Sequence, residues 1–174
     1  GIEYFLANAG TDFPPIIEAI AQAGDDDGPQ AMVIPHENVA VSMAHGYAIV
    51  AGKPLAVMLH VNVGTANGLC GMMNASRSET PMLVMAGCSP ITENRAPEDG
   101  ARDRFIHWAQ DMFDQGGMVR EFVKWDYELR AADELEATID RALTLARTAP
   151  KGPVYLTLPR EVLGTRMASR PAPS

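Results

Sequence analysis

The sequence predicts an α/β domain, a doubly wound and mainly parallel six-stranded sheet with helices on both faces. Short apolar runs alternate with stretches of helical period along the whole chain. The apolar run that ends at His60 passes into Val61-Asn62-Val63-Gly64-Thr65-Ala66-Asn67-Gly68, a glycine turn leading into a helix of small residues. Near the end, Ala132, Leu135, Ile139, Ala142, Leu143 and Ala146 form one helical stripe, with Asp133 and Glu134 in its first turn and Arg147 near its close.

Residues 4–8 give the first strand, which runs out into Asn8-Ala9-Gly10-Thr11. Residues 32–35 give the second, followed by a helix with apolar residues at Val39, Met43, Tyr47 and Val50 and again at Val41, Ala44 and Ala48. A helix apolar nearly all round is expected to be buried. Residues 55–60, 82–86, 118–124 and 154–158 supply the remaining strands, with helices between them. Residues 88–104, charged and proline-bearing, read as a mobile or interface loop. Residues 165–174 have lost periodicity and read as a linker, leaving one domain over 1–164. A chain of 174 residues fits a single domain that buries roughly 70% of its unfolded surface.

A net charge of −8 argues against nucleic acid and anionic membrane, which attract basic patches. No apolar run approaches the roughly 20 residues of a membrane span, and no signal peptide is evident, so a cytoplasmic protein is expected. Cys70 and Cys88 have no C-x-x-C partners and read as small core residues. Met72, Met73, Met82 and Met85 read as core filling. His36 and His45 lie on opposite sides of a helix, about 180° apart, and share no metal-binding face. His107 beside Trp108 reads as a helix surface or interface residue, and Asp25-Asp26-Asp27-Gly28 as a solvated turn rather than a calcium loop.

Glu37 is the residue that asks for a function. It stands between a short apolar strand and an almost uncharged helix, where desolvation raises a carboxyl pKa toward the range of a proton relay. A helix cap or a partner for the helix dipole is the competing reading. His60 ends the third strand. In open parallel sheets ligands bind beyond the carboxyl ends of the strands, so Glu37 and His60 share one rim. A histidine there is also commonly just hydrogen-bonded. No phosphate-binding glycine fingerprint is present, which disfavours a dinucleotide dehydrogenase. Gly64 and Gly68 then allow a ligand ring or a helix to approach closely, with Asn67 as donor and acceptor.

Five segments in order carry a resemblance: Pro35-His36-Glu37, Gly46-Tyr47-Ala48, Gly52-Lys53-Pro54, Gly64-Thr65-Ala66-Asn67-Gly68 and Gly152-Pro153-Val154-Tyr155-Leu156-Thr157-Leu158-Pro159. Together they resemble the pyrimidine-binding domain of thiamine diphosphate enzymes, in the decarboxylase and carboligase branch that contains acetolactate synthases and benzoylformate decarboxylase. Leu59-His60 and Val123-Lys124-Trp125 look most like the latter. The resemblance implies that Glu37 hydrogen-bonds N1′ of the aminopyrimidine and promotes the imino tautomer. It further implies that Ala9, Gly10, Gly64, Thr65 and Asn67 border the cofactor, that Thr11 contacts substrate, and that His60 exchanges protons with the reacting substrate.

The sequence departs from that branch at Ala9, where benzoylformate decarboxylase has proline, and by lacking the Gly-Pro-Gly usual on the third strand of acetolactate synthases. No Gly-Asp-Gly occurs, the motif with which the family holds magnesium and diphosphate on a second domain. The resemblance therefore implies a diphosphate-binding domain contributed by a second chain, a homodimer or homotetramer, a small 2-oxo acid substrate, and a middle domain beyond the linker. It also implies a short helix before Tyr4 and an apolar face near the rim through which the piece self-associates. The alternatives are a non-catalytic binding or regulatory domain of the same fold, and the small subunit of a split decarboxylase.

Overall fold

The computed structural model describes residues 1–8, 10–23, 28–94 and 100–166. Six parallel strands form one sheet: β1 (Tyr4–Ala7), β2 (Gln30–Val33), β3 (Ala56–Leu59), β4 (Met82–Cys88), β5 (Asp126–Glu128) and β6 (Pro153–Pro159), in the spatial order β2-β1-β3-β4-β6-β5. The helices are α1 (Pro14–Ala23), α2 (Glu37–Ala51), α3 (Val61–Arg77), α4 (Ile106–Ala109), α5 (Leu135–Arg147) and α6 (Arg160–Leu163).

Alternation along the strands builds two cores. Leu6, Val57, Leu59, Val84 and Ala86 face Val41 and Ala44 of α2 and Met72 and Ala75 of α3. Phe5, Ala7, Ala56, Met58, Leu83 and Met85 face the other way, onto Phe13, Ala142 and Ala146, with Ile16 of α1 against them. A period of two on strands covered on both faces produces this division. Because α1 and α3 lie on opposite faces while β1 and β3 are neighbours, the loops after β1 and β3 part at the sheet's carboxyl edge. That switch point is where doubly wound sheets leave a crevice.

The fifth strand is not at residues 118–124. That stretch forms two 3-10 turns, Gly116–Met118 and Arg120–Phe122, and the strand is Asp126–Glu128. Met118, Val119, Phe122 and Val123 recur at helical spacing rather than in alternation, and Arg120 is forked onto Asp126 at 2.9 and 3.0 Å and onto Asp114 at 2.8 Å. Lys124 instead serves α5, its ammonium donating to the carbonyls of Leu145 (2.5 Å) and Thr148 (2.6 Å) at the helix end.

The expected glycine turn after β3 is absent, because α3 begins directly at Val61. Its glycines are contact points for neighbouring elements. A Cβ on Gly68 would lie 3.0 Å from Leu59 Cδ1, and one on Gly71 would lie 2.7 Å from Val41 Cγ1. Gly46 of α2 has nothing within 4 Å of such an atom. Gly46→Ala is therefore expected to stabilise the chain by up to about 1 kcal/mol through helix propensity. Gly71→Ala gains the same propensity but overpacks at a cost of about 1–3 kcal/mol. Thermal melts of the two variants should move in opposite directions.

Only one stripe of α2 is buried. Ala40, Val41, Ala44 and Ala48 are covered, while Val39, Met43 and Ile49 are exposed and Val50 is 89% exposed. Among the described residues nothing covers that second stripe, which corrects the expectation of a buried helix. Met72, Met82 and Met85 fill the core but Met73 is exposed. Cys70 is exposed rather than buried, and Cys88 is half-buried, its thiol pushed up to about 12 chiefly by desolvation. The described part of the 88–104 loop is tied down at its start by Glu161, whose Oε1 accepts from the Ile91 and Thr92 amides and the Thr92 hydroxyl, each at 2.8 Å. The Asp25–Asp27 run and most of the expected linker lie outside the described residues.

Candidate functional site

Three loops meet at the carboxyl edge, those after β1, β2 and β3. Asn8 ties them together, its backbone amide donating to Met58 O (3.2 Å) and its side-chain amide to Ile34 O (2.9 Å). Glu37 opens α2 after β2, and the residue before it, His36, caps the helix by accepting the Asn38 amide on Nδ1 at 3.1 Å. The cap is therefore supplied by His36, and Glu37 is left available for another task. Glu37 is 8% exposed; its Oε2 accepts from Asn67 Nδ2 at 3.2 Å, and Oε1 has no hydrogen-bond partner among the described residues. Gly64 lies alongside, where an added Cβ would stand 3.5 Å from Glu37 Cγ.

His60 joins β3 to α3 and meets a residue that the sequence did not single out. Its Nδ1 lies 2.5 Å from Asp12 Oδ1, and Asp12 is 4% exposed. The hydrogen bond to Asp12 raises the imidazole above its ordinary value, partial burial opposes this, and the charges of Asp12 and Glu37 add to the rise. A group with a raised folded pKa stabilises the fold fully below its unfolded value near 6.5, and that contribution is lost as pH rises through the folded value. Asp12 stands two residues before Pro14, where an acid reads as a helix-start residue. Its meeting with His60, 48 positions away, exists only in three dimensions.

The other residues expected at the site divide. Gly10 backs the His60 ring and Thr11 is exposed on the same edge, whereas Ala9 lies outside the described residues. Thr65 is separated from them. It is fully buried, its hydroxyl donating to Val61 O at 2.8 Å and paired with Tyr155 Oη at 2.7 Å, and Gln115 Nε2 donates to the same Tyr155 oxygen at 2.9 Å. His107 is buried, not a surface residue, with desolvation and then Arg160 lowering its pKa. A polar cleft farther along the edge is lined by Cys88, Ser89, Asp114, Arg120, Asp126 and Arg130. Of its charged groups, Arg120 is paired with both Asp114 and Asp126. No three His, Cys, Asp or Glu among the described residues are grouped to hold a metal ion, and no described helix is long and apolar enough to cross a membrane.

Benzoylformate decarboxylase of Pseudomonas aeruginosa is 31% identical over 127 residues, 71% of this chain and 22% of the relative. The acetolactate synthase large subunit of Haemophilus influenzae is 27% identical over 163 residues, 94% of this chain and 26% of the relative. The chain thus spans about a quarter of the length of these curated relatives. Among solved structures, a thiamine diphosphate-dependent 4-hydroxybenzoylformate decarboxylase of Rhodococcus jostii superposes with a TM-score of 0.73 at 26% identity, covering 97% of this chain and 31% of that one. A putative thiamin diphosphate-dependent enzyme of Mycobacterium smegmatis gives 0.79 at 25% identity, covering 100% and 31%. The family model described as thiamine pyrophosphate enzyme, N-terminal TPP binding domain, matches residues 1–118, which span every loop of the rim described above. On the fold, the rim and that match, the chain belongs to the N-terminal thiamine pyrophosphate-binding domains of thiamine pyrophosphate enzymes.

Proposed function

We propose that residues 1–164 are the cofactor-activating unit of a cytoplasmic thiamine diphosphate-dependent decarboxylase or carboligase acting on a small 2-oxo acid. The observation that carries this is Glu37, a nearly buried carboxylate at the switch-point edge with one oxygen on Asn67 and the other without a partner among the described residues. The residues fit the group. Glu37 is an acceptor for a ring N–H, Asn67 borders it, and Gly64 beside it adds no side chain. Bound thiamine diphosphate would supply a carbon nucleophile for the 2-oxo carbonyl. Glu37 would share a proton with ring nitrogen N1′, Thr11 and His60 would face the substrate, and Gly10 would shape the wall behind them.

Magnesium and the diphosphate would be held by a domain of a second chain, as the resemblance to the family implies. Val39, Met43 and Val50 of α2, with Val63 and Met73 of α3, support such a partner, because together they leave apolar surface uncovered.

The test is a titration of thiamine diphosphate with magnesium into the full-length protein, followed by near-ultraviolet circular dichroism, for wild type and Glu37→Gln. An aminopyrimidine signal in wild type that is altered or lost in Glu37→Gln is expected. Absence of binding by intact wild type would overturn the enzyme reading and leave a binding or regulatory domain.

A further inference from the structure

The loop after β1 and the loop after β3 are joined by a histidine–carboxylate pair at the switch point. We propose that Asp12 is a positioning residue, fixing the His60 ring through Nδ1 so that Nε2 is the nitrogen presented to the substrate. The pairing stands on its own geometry, and the task of Nε2 rests on the functional reading above.

An ionised carboxylate only accepts, so the hydrogen on Nδ1 is the one shared with Asp12. Nε2 then has no hydrogen-bond partner among the described residues, and the side chain retains 22% exposure. Asp12 is itself held, its second oxygen lying 3.5 Å from the Val61 amide.

Space for the pair is built by two glycines. A Cβ on Gly10 would fall 2.1 Å from His60 Nδ1, and one on Gly87 would fall 2.0 Å from Asp12 Oδ2. Neither glycine has a positive φ, so what each supplies is room and not backbone freedom. The backbone also bears a cost here. Val61, a β-branched residue, takes φ +37°, a conformation that costs on the order of 1–3 kcal/mol and is found where neighbouring contacts enforce it. Helix capping does not explain the ring's position, because His60 makes no side-chain cap bond to α3. Strain, a double cleft for side chains and a buried acid all serve one ring orientation.

The charged groups facing the ring are Asp12, from the loop after β1, and Glu37, from α2. Cys88, His107 and Arg160 line a small cleft with Asp12. Asp12→Asn keeps the shape of the pair and removes its charge. The experiment is a carbon-13 NMR titration of the His60 Cε1–H signal in this chain, assigned by its loss in His60→Asn, for wild type, Asp12→Asn and Gly87→Ala. The His60 midpoint is expected to fall by about one pH unit or more in Asp12→Asn. Gly87→Ala, whose added Cβ meets the Asp12 side chain first, should move it the same way.

In the full-length enzyme Asp12→Asn should lower kcat on the order of 10²-fold and shift its pH profile, with thiamine diphosphate affinity unchanged. An unmoved His60 midpoint in a folded Asp12→Asn chain overturns the inference, whatever the enzyme does. A midpoint that moves in a protein whose wild type binds no cofactor upholds the pair and overturns the functional reading instead.

Discussion

Glu37→Gln is expected to lower kcat of the full-length enzyme on the order of 10³-fold while leaving its melting temperature nearly unchanged. The two effects separate because the carboxylate's structural work is small. His36 supplies the cap of α2, so Glu37 contributes to the helix only as a first-turn acid, worth about 0.3–1 kcal/mol. Glutamine fills the same volume and can still accept from Asn67 Nδ2 through its carbonyl oxygen. Its second position becomes an amide that donates where the carboxylate accepted, so it cannot hold a shared proton with N1′. Positioned proton transfer is worth about 10²–10⁴-fold. Steady-state kcat with a 2-oxo acid substrate, measured beside a thermal melt, checks both halves. A variant retaining more than a tenth of the activity would reduce Glu37 to a first-turn acid.

Much of this was legible in the sequence, and the parts that were not have physical reasons. Strands β3, β4 and β6 are buried on both faces and read as continuous apolar runs, so their positions follow from composition alone. The short edge strand β5 has only three residues and no such run, and the apolar residues Met118, Val119, Phe122 and Val123 drew the expected strand away from it, although their spacing is helical. Glu37 was legible because an acid at the mouth of an apolar helix is conspicuous. His60 was legible as a strand-end residue, but not as half of a pair, since pairing with Asp12 depends on β1 and β3 being neighbours. Thr65 read as a site residue from its motif, yet its register on α3 points its hydroxyl to Tyr155. Apolar periodicity in α2 could not distinguish the buried stripe from the exposed one.

Phe13→Ala should have the largest effect on stability, a loss of about 3–5 kcal/mol. Phe13 is 1% exposed and packs into the core formed by Phe5, Ala7, Met58, Leu83 and Leu156. Truncation removes the ring's transfer energy and leaves a cavity whose wall is sheet, which collapses poorly. At roughly 2–4 °C per kcal/mol for a domain of this size, the melting temperature should fall by about 6–20 °C. The consequence reaches the site because Phe13 ends the loop that carries Gly10, Thr11 and Asp12. Its amide donates to Gly10 O at 3.1 Å, and its carbonyl accepts from Ile16 and Ile17 at 2.9 and 3.0 Å, which starts α1. The ring is thus the anchor that holds Asp12 against His60. Phe13→Leu, which keeps most of the volume, should cost less than about 1.5 kcal/mol and preserve the raised His60 midpoint. Phe13→Ala should lower the midpoint even at temperatures where the chain remains folded. Equal midpoints in the two variants would mean that the loop is fixed by its backbone hydrogen bonds and that the buried ring contributes stability without positioning.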